Sequence, residues 1–436
     1  MSAGFAAYVV GGSVRDVLLS RAPLDWDLAT SARPEQMQAL FPDAVYENQF
    51  GTVAVRRDVG GDGVIAITTF RTDHDYADFR RPHHVEFGDA LELDLARRDF
   101  TVNAMAWGAE PGDPPHFVDP YDGRGDLTTR TLRAVGDPLR RFEEDALRMI
   151  RAIRLATVLG FDIEPATLAG ITARAELVRH LSGERIAAEL ERLLRAPQPS
   201  VGLGLMLETG VLAQVSADLA AQRGVPQNKV PGEDLWDHTI RAVDAAAAAG
   251  GSGTVRTAAL LHDIGKPATF ADGRFLRHEA VGAELAGELL DRLRWPRAER
   301  ERIVRLVRLH MFGYESSWSD AAIRRFIAKV GLDELDDLFA LRRADNLGSG
   351  LDRDAGHLDE LVARVAGERA AGVVLDLRGL AIGGDDLIAE LGVPPGPELG
   401  RLLDTLLERV IADPRVNRRS TLLAEARALL AAGGAP

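Results

Sequence analysis

The hydrophobic pattern of the chain changes once, near Pro138, and this change limits the folds that the chain can adopt. Before it, short β-branched runs at residues 8–10, 52–55 and 64–70 alternate with turn clusters such as Gly60-Gly61-Asp62-Gly63, a pattern typical of mixed α/β structure. After it, long segments with helical spacing are separated by Gly and Pro. The sequence therefore predicts an α+β protein: a small N-terminal mixed α/β head followed by a mostly α-helical body.

Length and charge narrow the class of protein further. At 436 residues the chain is too long for one ordinary core. Its 66 acidic and 52 basic side chains give a net charge of −14, so nucleic acid must meet a local basic face rather than the whole surface. There is no cysteine, so any metal must be held by Asp, Glu and His. The apolar run at residues 5–10 lacks a basic leader and is too short to span a membrane, so we expect a soluble, cytoplasmic protein with no membrane partner.

A glycine turn followed by two carboxylates is the first candidate chemical centre. Gly11-Gly12-Ser13-Val14-Arg15-Asp16 follows an apolar strand and opens a helix, with Ser13 as candidate N-cap. Its glycines let the backbone approach an anion, and Arg15 adds charge. The carboxylates of Asp25 and Asp27 share one face if this segment is a strand, and two such ligands can hold a pair of Mg²⁺ ions. Taken alone, each pattern also fits a tight turn or a solvated strand end.

Together these segments resemble the signature of class II tRNA nucleotidyltransferases and bacterial poly(A) polymerases. Residues 97–104 resemble the second motif of that family, and residues 119–127 resemble the block after it. The resemblance implies a polymerase-β-like head in which Asp25 and Asp27 are the catalytic metal ligands. It also implies nucleotide contacts from Gly11, Gly12, Arg15 and Arg98. The alternative reading makes Arg97 and Arg98 a solvated pair that flanks Asp99.

Residues 144–154 predict a helix whose polar ridge steps by three, with the members Asp145, Arg148, Arg151 and Arg154. A salt-bridged amphipathic helix is the alternative. The stretch resembles the motif with which class II enzymes bind the incoming base and triphosphate. Cytosine and adenine both present an exocyclic amine beside an unprotonated ring nitrogen, which suits an acceptor at Asp145 and a donor at Arg148. Uracil and guanine would leave both groups mispaired, so the expected substrates are CTP and ATP. Residues 182–194 resemble the last shared motif, whose role we expect to be mainly structural.

A second candidate centre is an ordered set of histidines and aspartates in helical patterns: His238, His262, Asp263, His278, His310 and Asp345. A single helical histidine is more often a hydrogen-bonded core residue, but a full set suits a mononuclear or dinuclear metal site that activates water against a phosphoester. The order resembles the histidine-aspartate (HD) phosphohydrolase superfamily over roughly residues 230–350. His238, His262, Asp263 and Asp345 are the stronger ligand candidates, and His278 and His310 belong to a possible second metal. The metal expected here is Ni²⁺, Co²⁺ or Mn²⁺.

These motifs predict four segments along the chain. They are a catalytic head at 1–137, a helical nucleotide-recognition neck at 138–225, an HD domain at 226–350 and a helical tail at 351–436 that we expect to bind tRNA. Residues 380–387 and 395–400 resemble the tail of bacterial class II enzymes that carry an HD region.

The function that the motifs predict is template-independent addition of C, C and A to the 3′ end of tRNA, with release of pyrophosphate and Mg²⁺ as cofactor. An HD phosphatase or 2′,3′-cyclic phosphodiesterase activity is expected beside it. CC-adding members of the family that the chain resembles lack part of a loop before the Arg-Arg-Asp motif. Residues 71–93 resemble the undeleted form of that loop, which disfavours a CC-adding specialist. An A-adding enzyme, a poly(A) polymerase and a non-catalytic RNA-binding or regulatory HD protein stay open as alternatives.

Overall fold

The chain folds into two compact units. The computed structural model describes residues 2–23, 25–48, 51–56, 64–76, 82–88, 90–227 and 229–432. The first unit is Met1–Gln222 with Leu289–Trp295, and the second is Arg223–Glu288 with Pro296–Pro436. This division lies close to the predicted boundary at 225, while the predicted boundaries at 137 and 350 lie inside the units. No helix among the described residues is long and apolar enough to cross a membrane.

The strands of the described residues are concentrated near the N-terminus. In chain order they are β1 (Ala7–Val10), β2 (Asp27–Thr30), β3 (Val45–Asn48), β4 (Thr52–Arg56), β5 (Val64–Thr69), β6 (Arg71–Tyr76), β7 (Pro82–Phe87), β8 (Ala106–Ala109), β9 (His116–Val118), β10 (Thr131–Leu132), β11 (Asp162–Ile163), β12 (Phe270–Ala271) and β13 (Arg274–Phe275). The turn cluster at residues 60–63 lies outside the described residues.

A mixed sheet forms the head of the first unit, in the order β3-β4-β5-β2-β1-β8-β9. Strands β2 and β5 run parallel, whereas β1 pairs antiparallel with both β2 and β8. Alternate residues of β1, Tyr8 and Val10, point into a core with Phe70 and Leu95, because successive side chains of a strand face opposite sides. Strands β6 and β7 form a separate hairpin within the predicted undeleted loop, of which residues 77–81 and 89 lie outside the described residues.

Helices make up most of the remaining chain, so the predicted α+β class is confirmed. In the first unit they are α1 (Gly12–Leu18), α2 (Pro34–Leu40), α3 (Leu91–Ala96), α4 (Gly123–Thr129), α5 (Pro138–Glu144), α6 (Leu147–Leu159), α7 (Pro165–Arg174), α8 (Gly183–Leu194), α9 (Pro199–Glu208), α10 (Val211–Val215) and α11 (Ala217–Ala220). Farther along they are α12 (Leu235–Ala248), α13 (Gly253–Leu261), α14 (Lys266–Thr269), α15 (His278–Arg292), α16 (Arg297–Leu309), α17 (Asp320–Val330), α18 (Leu335–Gly348), α19 (Leu358–Ala370), α20 (Gly384–Leu391), α21 (Pro397–Ala412) and α22 (Arg419–Ala431).

The predicted helix over residues 144–154 is in fact two helices. Helix α5 ends at Glu144 and α6 begins at Leu147, with Asp145 extended between them at φ −145°. One carboxylate oxygen of Asp145 accepts a hydrogen bond from Leu147 N at 3.1 Å, which satisfies an amide that the new helix leaves open. Asp145 therefore does not lie on the helical ridge, whereas Arg148, Arg151 and Arg154 do.

A buried arginine ties three helices of the second unit together. Arg324 of α17 is 8% exposed and donates to the last carbonyls of α21, Ile411 O at 2.5 Å and Ala412 O at 2.9 Å. Its guanidinium also pairs with Glu368 of α19 at 3.0 Å. Because carbonyls at a helix C-terminus lack partners within their own helix, the Arg324 guanidinium satisfies acceptors that α21 leaves open.

We expect Arg324→Met to lower the stability of the protein markedly. The change keeps the aliphatic stem but leaves a carboxylate and two carbonyls without their partner, which costs on the order of 3 kcal/mol and lowers the thermal midpoint by roughly 5 to 10 °C. Differential scanning fluorimetry measures the shift. Arg325→Met is the matched control, since the Arg325 pair with Glu408 is exposed on the same helix. Equal midpoints for the two variants would contradict the role of Arg324.

Candidate active site and metal centre

One buried hydroxyl joins the glycine turn to the two candidate acids. Ser13 is 2% exposed, and its Oγ donates to Asp25 O at 3.0 Å and accepts from Asp27 N at 3.0 Å. The predicted N-cap role of Ser13 is wrong, because α1 begins after Gly11 and Ser13 lies inside the helix. Asp25 precedes β2, and Asp27 is its first residue, so only one of the acids belongs to the strand.

Arg98 lies against the glycine turn. Gly11 has φ +71°, a conformation that favours glycine, and a Cβ built on it would lie 2.7 Å from Arg98 Nη1 and displace that guanidinium. Loss of water around Asp27 raises the pKa of its carboxyl, the Arg98 guanidinium lowers it, and the neighbouring Asp25 carboxylate raises it again. Two carboxylates held side by side near one arginine repel each other, and hard divalent cations favour such oxygen donors. Asp25 and Asp27 thus fit the metal-ligand role expected of them.

Arg97 and Arg98 are not a solvated pair. Both side chains are 18% exposed and both reach back to Asp94, at 2.6 Å from Arg97 Nη2 and 3.1 Å from Arg98 Nη2. Burial raises the pKa of the Asp94 carboxyl, but the two guanidinium groups outweigh this effect and hold the pKa below its usual value. Asp94 therefore fixes the direction of Arg98 beside the glycine turn.

Asp99 connects the head to helix α6. One of its oxygens accepts from Asn103 Nδ2 at 3.1 Å and the other from Arg151 Nη1 at 3.0 Å. Asn103 in turn accepts from Arg15 Nη1 at 2.7 Å. Burial raises the pKa of Asp99, yet the Arg151 charge and the Asn103 hydrogen bond bring it below the ordinary value. The predicted nucleotide contacts Arg15 and Arg151 are thus joined through one carboxylate.

The far end of the same network is Glu189 of α8, which is 2% exposed. Its carboxylate contacts Arg151 Nε at 3.6 Å and accepts a hydrogen bond from Arg154 Nε. Burial lowers the pKa of Arg154, and the Glu189 carboxylate opposes this effect. Two of the predicted triphosphate contacts are therefore ion-paired with buried acids.

Asp145 and Arg148 keep unused hydrogen-bonding capacity. Arg148, 9% exposed, donates to Arg141 O, Glu144 and Arg97 O, which occupies three of its five N–H groups among the described residues. Oδ1 of Asp145 accepts from Leu147 N, and Arg185 Nη2 donates to Oδ1 at 3.0 Å and to Oδ2 at 2.8 Å, which uses three of about four acceptor positions. No hydrogen bond between the Asp145 and Arg148 side chains is found within the part of the chain that the structure describes.

The second candidate centre converges on Asp263. Its Oδ2 lies 3.2 Å from both His238 Nε2 and His262 Nε2, and its Oδ1 lies 3.3 Å from His278 Nε2 and 3.7 Å from His310 Nε2. Candidate donor atoms within 4.8 Å of one another form two groups, His238 with His262 and Asp345, and Asp263 with His278 and His310. The carboxylate of Asp263 thus spans both groups.

Backbone carbonyls fix the tautomer of three of these histidines. The Nδ1 atoms of His262, His278 and His310 lie 2.7 to 2.9 Å from carbonyl oxygens three residues earlier in the chain. A carbonyl oxygen only accepts, so each Nδ1 carries the proton and each Nε2 presents a lone pair toward Asp263. Outer partners of this kind are typical of histidines that bind a metal.

The protonation states of the cluster also fit a metal. Burial lowers the pKa of His262, which favours its neutral imidazole. Burial raises the pKa of Asp263 and Asp345, but the ammonium groups of Lys266 and Lys229 act against this effect, and both carboxyl pKa values lie below the ordinary value. All six residues are buried, with at most 7% of the residue surface exposed. His278 Nε2 and His238 Nδ1 have no hydrogen-bond partner among the described residues. Buried neutral imidazoles with ionised carboxylates are the ligand state that metal binding requires.

Several residues of the two centres escaped the sequence interpretation. Asp94 could have been found from its spacing, since Arg97 and Arg98 follow at i+3 and i+4. Arg185, expected to be structural, contacts Asp145 across 40 positions, a pairing with no local signal. In the second centre, Lys266 donates to Asp263 at 2.5 Å.

Three family models and several known proteins match this chain. Residues 7–133 match the poly A polymerase head domain, residues 160–222 a probable RNA and SrmB binding site of polymerase A, and residues 235–349 the HD domain. The CCA-adding enzyme of Lactococcus lactis subsp. cremoris is 34% identical over 98% of this chain and 93% of its own length. That of Levilactobacillus brevis is 36% identical over 97% and 94%. The crystal structure of the Bacillus stearothermophilus CCA-adding enzyme in complex with CTP superposes with a TM-score of 0.73 at 29% identity, covering 98% of this chain and 95% of that one.

The head and its paired carboxylates define a metal-dependent nucleotidyltransferase. The two CCA-adding enzymes that match nearly the whole chain at 34% and 36% identity narrow this class of enzymes to one family. The chain belongs to the CCA-adding enzymes, the tRNA nucleotidyltransferases, and the predicted resemblance is confirmed.

Proposed function

We propose that this protein adds C, C and A in turn to the 3′ end of tRNA, using CTP and ATP. The observation that carries the proposal is the Ser13 hydroxyl bridge, which holds Asp25 and Asp27 against a glycine turn in a chain of this family. The undeleted loop, with its β6–β7 hairpin, favours full CCA addition over addition of CC alone. Addition of the final A alone is the remaining product pattern.

In this proposal the reaction is a displacement at phosphorus. The 3′ hydroxyl oxygen of the tRNA attacks the α-phosphorus of the nucleotide, the bond to the β-phosphate oxygen breaks, and pyrophosphate leaves while the hydroxyl proton passes to solvent. Asp25 and Asp27 would hold Mg²⁺, which when bound would supply charge neutralisation at the reacting oxygens. Arg98 and the amides after Gly11 bind the triphosphate, and Asp94 keeps Arg98 directed at it.

Base choice would rest on Asp145 and Arg148. The remaining acceptor position of Asp145 suits the exocyclic amine of C or A, and the unused N–H groups of Arg148 suit the adjacent ring nitrogen. Arg185 holds the Asp145 carboxylate in place. Uracil or guanine would set a carbonyl against the carboxylate, and an unmet buried polar group is costly.

The HD centre supports a second, hydrolytic activity toward phosphomonoesters or 2′,3′-cyclic phosphates at RNA ends. In it a water oxygen attacks phosphorus, one P–O ester bond breaks, and the leaving alcohol takes up a proton. Ni²⁺, Co²⁺ or Mn²⁺ held by the imidazoles and carboxylates would activate that water. This activity would restore the 3′ hydroxyl that the head requires.

We expect Asp25→Ala and Asp27→Ala each to lower nucleotide addition at least roughly a thousandfold, because the lost ligand supplied several kcal/mol of charge stabilisation. The assay incubates tRNA lacking CCA, and separately tRNA ending in CC, with CTP and ATP and sequences the products. Asp43→Ala, an exposed acid of the head, is the control. Normal turnover by either active-site variant would refute the assignment, and product from the CC substrate alone would identify an A-adding enzyme.

Asp145→Ala and Arg148→Ala are expected to relax base choice by roughly a hundredfold, because each removes half of the recognition edge. The measurement is the ratio of CTP and ATP incorporation to UTP incorporation under single-turnover conditions. Glu143→Ala serves as control, since Glu143 is exposed and pairs with Arg174. Ratios equal to those of the wild type would exclude the proposed recognition.

The double change His262→Ala with Asp263→Ala should eliminate phosphohydrolase activity stimulated by Ni²⁺, Co²⁺ or Mn²⁺ and should reduce bound metal. CCA addition should survive, because Asp25 and Asp27 are unchanged. Metal content by mass spectrometry and hydrolysis of 2′,3′-cyclic AMP are measured together, with His357→Ala as an exposed control. If the wild type hydrolyses none of these substrates with any of the metals, the HD region is a structural support for tRNA instead.

A further inference from the structure

A pocket of the second unit lies beside the HD centre and combines aromatic rings with cations. Its volume is about 500 Å³, within the range of small-molecule sites. The rings of Phe312, Trp318 and Phe326 form one part of its lining. Phe312 and Phe326 have ring centroids 5.2 Å apart, and Trp318 meets Phe326 at 6.1 Å nearly edge-on, so the three rings make one continuous apolar wall.

The pocket is connected to the metal-ligand candidates by the chain and by one arginine. Two of its lining residues, Glu279 and Met311, directly follow His278 and His310. The Arg342 guanidinium lies 5.5 Å from the centroid of the Phe312 ring, while its Nη1 is 3.7 Å from Asp345 Oδ2. The pocket wall is therefore one side chain away from the HD centre.

Two of the three cations in the pocket lining have no acidic partner among the described residues. The third, Arg325, pairs with Glu408, and the lining also includes the carboxylate of Glu279. Arg308 and Lys329 are exposed, and neither forms an ion pair within the part of the chain that the structure describes. An aromatic wall with unneutralised cations is the combination that binds single-stranded nucleic acid, because every base has a π-face and every linkage a negative charge. A peptide partner would not explain unpaired cations beside a centre suited to phosphoesters.

We propose that this pocket, lined by Phe312, Trp318, Phe326, Arg308 and Lys329, binds the unpaired 3′-terminal base of a single-stranded RNA end. The base stacks on the aromatic wall, and Arg308 and Lys329 contact the preceding phosphates. The terminal phosphate is thereby directed to the HD centre. The inference rests on the proposed phosphohydrolase activity and gives that centre its preference for RNA ends over simple phosphoesters.

The kinetic test compares two RNA trinucleotides that end in a 2′,3′-cyclic phosphate, one with a terminal adenine and one with an abasic terminal residue. Trp318→Ala should raise KM for the adenine substrate roughly ten- to hundredfold with little change in kcat, and should leave the abasic substrate unaffected. Trp318→Phe should retain most of the binding, which separates stacking from a folding defect. An equal effect on both substrates would overturn the proposal.

Charge is tested on the same substrates and on free 2′,3′-cyclic AMP. Arg308→Ala with Lys329→Ala should raise KM for the trinucleotide more than for the mononucleotide, and should reduce the dependence of KM on salt. Arg297→Ala is the matched control, an exposed arginine on the same helix as Arg308 that pairs with Glu301. Equal losses for trinucleotide and mononucleotide would overturn the assignment to an RNA end.

A binding readout separates this proposal from the hydrolytic activity on which it rests. An RNA trinucleotide with a 3′-terminal 4-thiouridine and a 3′-phosphate is photocrosslinked to the wild type and to the His262→Ala, Asp263→Ala variant. The crosslinked peptides are then identified by mass spectrometry. Crosslinks within residues 311–330 in both proteins support the pocket even if no substrate is hydrolysed. Crosslinks confined to the first unit would overturn it.

Discussion

The partly buried ion pair between Asp99 and Arg151 links the head of the first unit to helix α6. Through Asn103, Asp99 is coupled to Arg15 of the glycine turn, and through Arg151 it is coupled to Glu189 of α8. A buried charge without its partner is very unfavourable, so each member of this series constrains the backbone that carries its neighbour. These contacts therefore fix the position of the glycine turn relative to helix α6.

The features of the fold that could be predicted from the sequence are those that depend on residues close together along the chain. The turn at Gly11 and Gly12, the β-branched strands and the long helices all follow from the chemistry of neighbouring residues, and these parts of the prediction agree with the structure. Asp145 is different. Its spacing from Arg148 fits a position within a helix. An aspartate also favours the start of a new helix just after it, because its carboxylate accepts a hydrogen bond from a backbone amide of the first turn, here Leu147 N. Arg185, 40 residues away, then binds the same carboxylate, and no local pattern encodes that contact.

In the HD centre the sequence predicted the members of the cluster but not their orientation. The four histidines come from separate helices or from the residues that follow them, and spacing along the chain carries no information on which ring nitrogen faces inward. The backbone decides this, because the carbonyls three residues before His262, His278 and His310 accept from Nδ1. The backbone around His262, His278 and His310 thus leaves Nε2 of each ring as the atom that can bind a metal.

The ion pairs of the first unit explain how a chain with a net negative charge can act on tRNA, which is itself a polyanion. Coulomb interactions between exposed charges fade over about 8 Å at physiological salt, so the net charge of −14 matters less to a bound phosphate than the side chains beside it. In the first unit Arg98, Arg151 and Arg154 are held in ion pairs by Asp94, Asp99 and Glu189, respectively. These acids set the direction of each guanidinium in advance. In the proposed reaction this arrangement would lower the entropy lost when a triphosphate binds, so the carboxylates would prepare the arginines for the nucleotide.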